Sequence, residues 1–436
     1  FAVALLAGME TGWTSPALAI LLSPSSPIPT TKFDGSWIAS LLNIGRAAGG
    51  LIGALDVEFF GSKTSVLHIG VAQVLGLVPL VLANSVTWIF ISRAICGIAS
   101  GMLFISFPLY IGEISNPKIR GSLIGLIANG MSIGYVLGNL TGAYMSIPGF
   151  AVLCLGITIL FLVTFYWLPK SPHFLVLKDQ TEQAGAAILW YQRDADVPNE
   201  LGSLQKFIKD KQSMTVRALF DEFLLPHNKM ALFKVMTVYL LMQLSGLYTV
   251  GFYMEIILTK AEVSVIPPAM AVVVISSIGL IGGFFAIYAT DKFGRKIMMA
   301  TSAIGLASCL IAMTAHFEVQ EAGWCRPDQL QWLMIMAVIM LEVFINLGVV
   351  PIPSTILSEI FAPNIKSYSS CIANITSGLV AFFVTQTYQM FVDAIDYYVY
   401  IVYAFTMILL AVFTITKMPE TKGKSLQEIQ AMLMKK

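Results

Sequence analysis

EISNPKIRG, from Glu113 to Gly121, returns as EIFAPNIKS, from Glu359 to Ser367. Acid, Ile, Pro, Ile and base hold the same relative places in both. EFFGSK at 58–63 is answered by DKFGRK at 291–296, and PKS at 169–171 by PET at 419–421. One such pair would mean little more than charged residues marking a membrane border. Three pairs in the same order, about 230 to 250 residues apart, point to a duplicated unit.

The segments between these landmarks are apolar. Hydrophobic residues make up 57% of the 436 positions and charged ones 12%, half of what a water-facing domain carries, with a mean hydropathy of +0.78. Runs of about 20 residues, enough to cross some 30 Å of hydrocarbon as helix, fall at 1–22, 36–57, 64–83, 86–110, 122–145 and 149–168. A second set falls at 231–258, 266–290, 297–316, 331–357, 369–392 and 396–416. The expected fold is an all-α membrane protein of twelve helices in two pseudo-symmetric six-helix bundles. Its divisions are a first bundle at 1–168, a linker with short helices at 169–230 (one patch at 200–212), a second bundle at 231–416, and a tail at 417–436 with an amphipathic turn or two at 425–434. The run from Phe1 carries Glu10 and lacks a basic leader, so it reads as a first span rather than a signal peptide, with a cytoplasmic leader expected ahead of it.

Breaks on one side hold Lys63, Lys118, Arg120, the basic middle segment, Lys292, Arg295, Lys296, Lys366 and the Lys-rich tail; the other side has only Lys32, Lys260 and Arg326. By the positive-inside rule the linker and both termini are cytoplasmic. Glu58, Lys63, Glu113 and Arg120 of the first half and Asp291, Arg295, Lys296, Glu359 and Lys366 of the second form an expected inner gate, pairing across the halves while that side is shut. Partly solvated pairs are worth about 1 kcal/mol or less each, which suits a gate that opens on a small free-energy difference.

These motifs, with QLSG at 243–246, FY at 252–253, PLYIGEISNPKIRG at 108–121, SEIFAPNIK at 358–366 and PETKGKS at 419–425, resemble those of the sugar porters of the major facilitator superfamily. The resemblance covers essentially the whole chain. GWTSPAL at 12–18 and SWIASLLNIG at 36–45 are most similar to the insect trehalose- and hexose-transporter branch. It implies two bundles rocking around a central cavity lined by spans 1, 4, 5, 7, 8, 10 and 11. The expected activity is plasma-membrane transport of a small sugar, hexose or trehalose-like, by alternating access. It would be facilitative or coupled to protons, and carried out by a multi-pass monomer in the lipid bilayer. The alternatives are a transporter-like nutrient sensor with little flux, for which the tail is short, and a carrier of a polyol or other small solute.

The chain departs from that family where sugar would be read. Met242, Gln243 and Tyr248 stand at the span 7 positions of two Gln and an Asn. Ala128 replaces a Gln, Gly279 an Asn, Ser354 a Trp, and Ser377-Gly378 an Asn-Trp pair; Lys170 and His173 replace Glu and Arg in PKSPHFL. Each sugar hydroxyl leaving water needs a partner. Gln243, Tyr248, Asn129, Asn346, Ser354 and Ser377 are the candidate contacts, and ordinary helix packing is the competing reading of each.

Glu10, Arg46, Arg93 and Glu342 fall inside apolar runs, where an unpaired charge costs at least about 3 kcal/mol. Glu10 lies in GMETG, similar to the family's GY(D/N)TG, whose acid accompanies proton coupling, and Arg93 matches the span 4 Arg paired with it. Glu10, Arg93 and Arg46 are therefore candidates for proton coupling; a permanent ion pair is the alternative, and Glu342 has no assigned role. The four His and five Cys are scattered, with no metal-ligand spacing, Walker loop or nucleophile–base set. No enzyme, ATP-driven pump, metal site, cofactor or nucleic-acid partner is expected, and the span count and repeat exclude a seven-span receptor.

Overall fold

The computed structural model describes residues 1–193, 196–212, 221–361, 363–424 and 426–434. With no water in the bilayer core to satisfy backbone groups, apolar spans become helices. The first six are α1 (Ala2–Leu21), α2 (Lys32–Phe60), α3 (Ser62–Val81), α4 (Val86–Ile114), α5 (Pro117–Tyr144) and α6 (Ile147–Tyr166). Among the described residues ten helical stretches are long and apolar enough to cross a membrane, one of them a 53-residue stretch that holds two helices. α1 is the twelfth; Glu10, Thr11, Thr14 and Ser15 lower its hydropathy, and most of it is buried. α2 starts four residues before the expected span because Thr31 and Asp34 form a capping box: Thr31 Oγ1 accepts from the Asp34 N–H at 3.2 Å, and Asp34 from the Thr31 N–H at 2.9 Å.

Short helices α7 (Pro172–Leu177), α8 (Thr181–Tyr191) and α9 (Val197–Gln212) follow. They dock on the linker side of the first bundle. The Tyr110 hydroxyl lies 3.1 Å from that of Tyr191, which donates to the Pro169 carbonyl at 2.6 Å, and Gln192 donates to the Ile114 carbonyl at 3.2 Å.

The second bundle has two broken spans. The seventh is α10 (Pro226–Leu244), α11 (Leu247–Phe252) and α12 (Met254–Lys260). Its break falls at Gly246, with φ +68°, where a Cβ would collide with the Tyr403 ring. After α13 (Pro268–Phe293) and α14 (Arg295–Glu321), the tenth span is α15 (Pro327–Phe344), a π-helical turn (Ile345–Val349) and α16 (Pro351–Ile360). Pro351 has no N–H and its ring would crowd the carbonyl four residues back, so the turn widens before it. Ser302 satisfies the freed groups, donating to the Phe344 carbonyl and accepting from the Val349 N–H at 3.1 Å. α17 (Pro363–Ile395), α18 (Val399–Lys417) and α19 (Leu426–Met434) complete the chain.

Glycine sets the seams of the first bundle. α1 and α5 cross on Gly8, Gly12, Gly134 and Gly138, where any Cβ would run into a carbonyl oxygen of the facing helix: Met131, Tyr135, Leu5 and Met9 respectively. α2 and α4 cross the same way on Gly45, Gly49, Gly97 and Gly101. Small residues four apart let backbones touch, the main packing force available between helices in lipid.

On the linker side the repeated motifs cap helices. Gly294, with φ +91°, leaves room for Glu420, whose carboxylate would lie 2.7 Å from a Cβ there. That carboxylate accepts from the N–H groups of Arg295 at 3.1 Å, Lys296 at 3.0 Å and Lys422 at 2.9 Å, a charge-matched cap for the start of α14. In the first half Gly61, φ +84°, faces the Phe174 ring instead, and the base of PKS brings no carboxylate.

Two predictions follow from these packings. Gly138→Ala should lower the thermal midpoint of the detergent-purified protein by the equivalent of about 1–3 kcal/mol of overpacking. Gly156→Ala, with nothing within 4 Å of its Cβ, should leave it unchanged or raise it slightly; equal effects would refute the seam. Burial raises the Glu420 pKa, but the surrounding backbone N–H groups outweigh burial and hold it below the ordinary value. Because the folded value is the lower one, this stabilisation is full above the unfolded pKa and is lost as pH falls through the folded one. Glu420→Gln should cost about 1 kcal/mol at neutral pH and flatten the acid limb of the midpoint-versus-pH curve; an unaltered acid limb would contradict the cap.

Candidate functional site

Between the bundles lies a cavity enclosing ≈ 1050 Å³, its mouth included. The first bundle contributes the polar groups of Thr11, Asn43, Arg46, Ser100, Ser132 and Tyr135; the second contributes Tyr248, Ser276, Glu342 and Asn346. The broken spans position the second set. The turn at Gly246 directs Leu247, Tyr248 and Gly251 to the cavity, and the π-turn presents Ile345 and Asn346.

Spans 1, 2, 4, 5, 7, 8 and 10 line this space. The expected list had span 11 and lacked span 2. Gly378 of α17 packs so closely on Ala47 of α2 that an added Cβ would lie 2.9 Å from the Ala47 nitrogen, so span 2 covers that stretch of span 11.

Of the expected sugar contacts, Tyr248 and Asn346 reach the cavity. Asn346 also donates to the Glu342 carbonyl at 2.9 Å. Gln243 and Ser377 find each other: the amide donates to the hydroxyl at 2.5 Å, both buried, outside the lining. Asn129 is half-buried on α5, nearer the linker side. Ser354 is exposed on α16, its hydroxyl 3.3 Å from that of Tyr239. Thr11, Asn43, Tyr135 and Ser276 were not anticipated, because single hydroxyls and amides in membrane helices carry no sequence pattern that separates lining from packing.

The far side is shut by contacts between the halves. Ser40 donates to Gln386 at 2.6 Å and Asn43 to Thr385 at 3.3 Å, and within the second half the Thr249 hydroxyl lies 3.1 Å from that of Thr385. Lys32 pairs with Asp393 at 3.4 Å, and Ser15 accepts from the Glu255 N–H at 3.0 Å.

On the linker side Arg295, Asp291, Glu359 and Glu113, expected to pair across the halves, pair within their own halves. Arg295 contacts Glu359 at 3.1 Å and Asp291 at 3.4 Å. Glu113, the repeat counterpart of Glu359, accepts from the Ser62 hydroxyl and lies 3.7 Å from His173. Ser62 thus keeps, as a neutral donor, the contact that Arg295 makes in the second half. Lys63 is buried and donates to the Tyr166 carbonyl at 2.9 Å. Lys296 gives Glu420 its backbone N–H, Glu58 is exposed at the end of α2, and Lys366 is half-buried on α17. The side chain of Arg120 lies outside the described residues.

Glu10 faces away from the cavity, into the first bundle. Gln73 donates to its Oε2 at 3.5 Å, and its Oε1 has no hydrogen-bond partner among the described residues. Arg93 serves backbone and hydroxyl oxygens instead: the Glu10 carbonyl at 2.8 Å, the Ile38 carbonyl at 3.2 Å and the Thr14 hydroxyl. Among the described residues no ion pair within 4.0 Å joins Glu10 to Arg93 or Arg46. Arg46 is in the cavity, its guanidinium 4.5 Å above the Tyr248 ring. Glu342 faces the same cavity from the other half, 7% exposed.

Comparison with known proteins agrees with this architecture. The family model described as sugar (and other) transporter matches residues 9–433. The chain is 28% identical over 431 residues to the facilitated trehalose transporter Tret1 of Apis mellifera ligustica, covering 98% of this chain and 85% of that one. The Aedes aegypti protein of that name is 26% identical over 434 residues; the chain spans 54% of its length. Among solved structures, the proton:xylose symporter XylE bound to 6-bromo-6-deoxy-D-glucose superposes with a TM-score of 0.75 at 21% identity, covering 99% and 98% of the two chains. The inward-open conformation of the E. coli xylose transporter XylE gives 0.77, also at 21%. With two six-helix bundles enclosing one cavity and a family match across nearly its whole length, the chain is a multi-pass membrane protein of the sugar (and other) transporter family, not an enzyme.

Proposed function

We propose that this protein carries a small sugar, a hexose or a trehalose-like disaccharide, across the plasma membrane by alternating access, as a monomer. Residues 1–168 and 231–416 act as the two moving bodies, 169–230 tethers them and 417–436 forms the tail. The basic residues of the linker side support a cytoplasmic location for that side and for both termini. The observation that carries the reading is a cavity lined by both halves and roofed on the far side by hydrogen bonds between them, while Arg295, Asp291, Glu359 and Glu113 of the linker side pair within their own halves. Such an arrangement supports a carrier closed to the outside. The names of the trehalose-transporting relatives and of the xylose symporter support sugar as cargo. Exposed apolar side chains such as Leu160, Phe233, Phe285, Phe383 and Phe405 supply the lipid-facing belt.

Proton coupling through Glu10 is a second reading, favoured by a buried carboxylate with no cationic partner within 4.0 Å among the described residues. A group so placed changes its protonation when its surroundings change, and α1 joins it to the cavity through Gly8 and Thr11.

Purified protein in proteoliposomes should show saturable uptake of radiolabelled glucose or trehalose, faster than of a polyol such as mannitol. Absence of flux for both sugars would refute the sugar assignment. If Glu10 couples protons, uptake should rise with an inward proton gradient, and Glu10→Gln should abolish that dependence while leaving exchange between internal and external sugar. The same pH dependence in the variant would rule Glu10 out.

A further inference from the structure

Arg46 and Glu342 are the cavity's two charged side chains among the described residues; they come from opposite halves, and each lacks a protein partner there. No described residue accepts a hydrogen bond from Arg46, whose Nη2 is buried, and none donates to the Glu342 carboxylate. They form no ion pair within 4.0 Å. Stacking on Tyr248 holds the guanidinium face and leaves its N–H edges in the plane, free to donate. The carboxylate has its space because residue 279 is glycine: a Cβ there would lie 3.3 Å from Glu342 Oε2 and 3.2 Å from Asn346 Nδ2.

We infer that Arg46 and Glu342 form a clamp that holds a neutral polyhydroxylated ligand between the two halves, an inference that rests on the sugar-carrier reading above. A guanidinium only donates and a carboxylate only accepts, and a hydroxyl does both. A sugar placed between them accepts from Arg46 with one oxygen and donates to Glu342 through another, and hydrogen bonds to charged groups are about twice as strong as neutral ones. The ligand answers both charges at once, and neither half alone completes its site. A zwitterion would answer the same two charges by ion pairing, but the other polar groups of the lining (Thr11, Asn43, Ser132, Tyr135, Ser276) are neutral hydroxyls and an amide, set among apolar Leu42, Phe104, Leu247, Phe252 and Leu280, matched to the hydroxyls and apolar ring faces of a neutral sugar.

The test is uptake of radiolabelled trehalose and glucose by proteoliposomes containing wild type, Glu342→Gln, Arg46→Gln and the double variant, with thermal midpoints measured on each. The clamp predicts KM raised at least about tenfold in each single variant and also in the double, with maximal rate within about twofold. If Glu342→Gln does not fold, Glu342→Asp, which keeps the charge and withdraws it by one methylene, is predicted to raise KM too. Unchanged KM in the single variants, or recovery of wild-type KM in the double, would overturn the clamp while the sugar reading stands. Wild type that imports alanine and neither sugar would overturn both.

Discussion

The two halves hold one another on the far side by neutral hydrogen bonds: Ser40 with Gln386, Asn43 with Thr385, and the Ser15 hydroxyl with the Glu255 N–H. Each is worth about 0.5–1.5 kcal/mol net, and each hydroxyl or amide can turn to water when the seam parts. Within the first half the contacts are of another kind. α1 presses on α5, and α2 on α4, through glycines that admit no side chain at all, and such seams have no alternative packing nearby. Tight seams inside the first half and an exchangeable seam between the halves suit the two-body motion proposed above.

The four intramembrane charges divide along the same line. Arg93 and Glu10 lie inside one body. Arg93, on α4, is held by carbonyls of α1 and α2, which ties the three helices together, and among the described residues no cation lies within 4.0 Å of the Glu10 carboxylate. Arg46 and Glu342 lie at the interface, one on each body, where a ligand can reach both. The linker-side pairs, Arg295 with Glu359 and Ser62 with Glu113, occupy equivalent places in the repeat. They fix each body internally while the far side is closed.

Much of the fold was legible because span length and hydropathy answer to one constraint, the satisfaction of backbone groups in hydrocarbon. The twelve spans were expected within a few residues of their ends. The misjudged ends, such as the start of α2, belong to polar caps that hydropathy does not see. The cavity was harder to read. Gln243 was expected to face substrate from its motif, but which face of span 7 turns inward depends on the break at Gly246, two residues before Tyr248. The sequence marks Arg46 as an intramembrane charge that could pair with Glu10, and gives Glu342 no role. Their opposite signs on opposite halves were present in the sequence, but their meeting in one cavity needed the coordinates.

The central claim is that two rigid bodies rock about this cavity. Double electron–electron resonance tests it directly, with one pair of spin labels at exposed Phe33 and Met390 on the far side and another at Phe59 and Tyr368 on the linker side. The account predicts a substrate-dependent exchange of populations in which the far-side distance lengthens as the linker-side distance shortens. Distances that stay fixed, or that lengthen and shorten together, would contradict it.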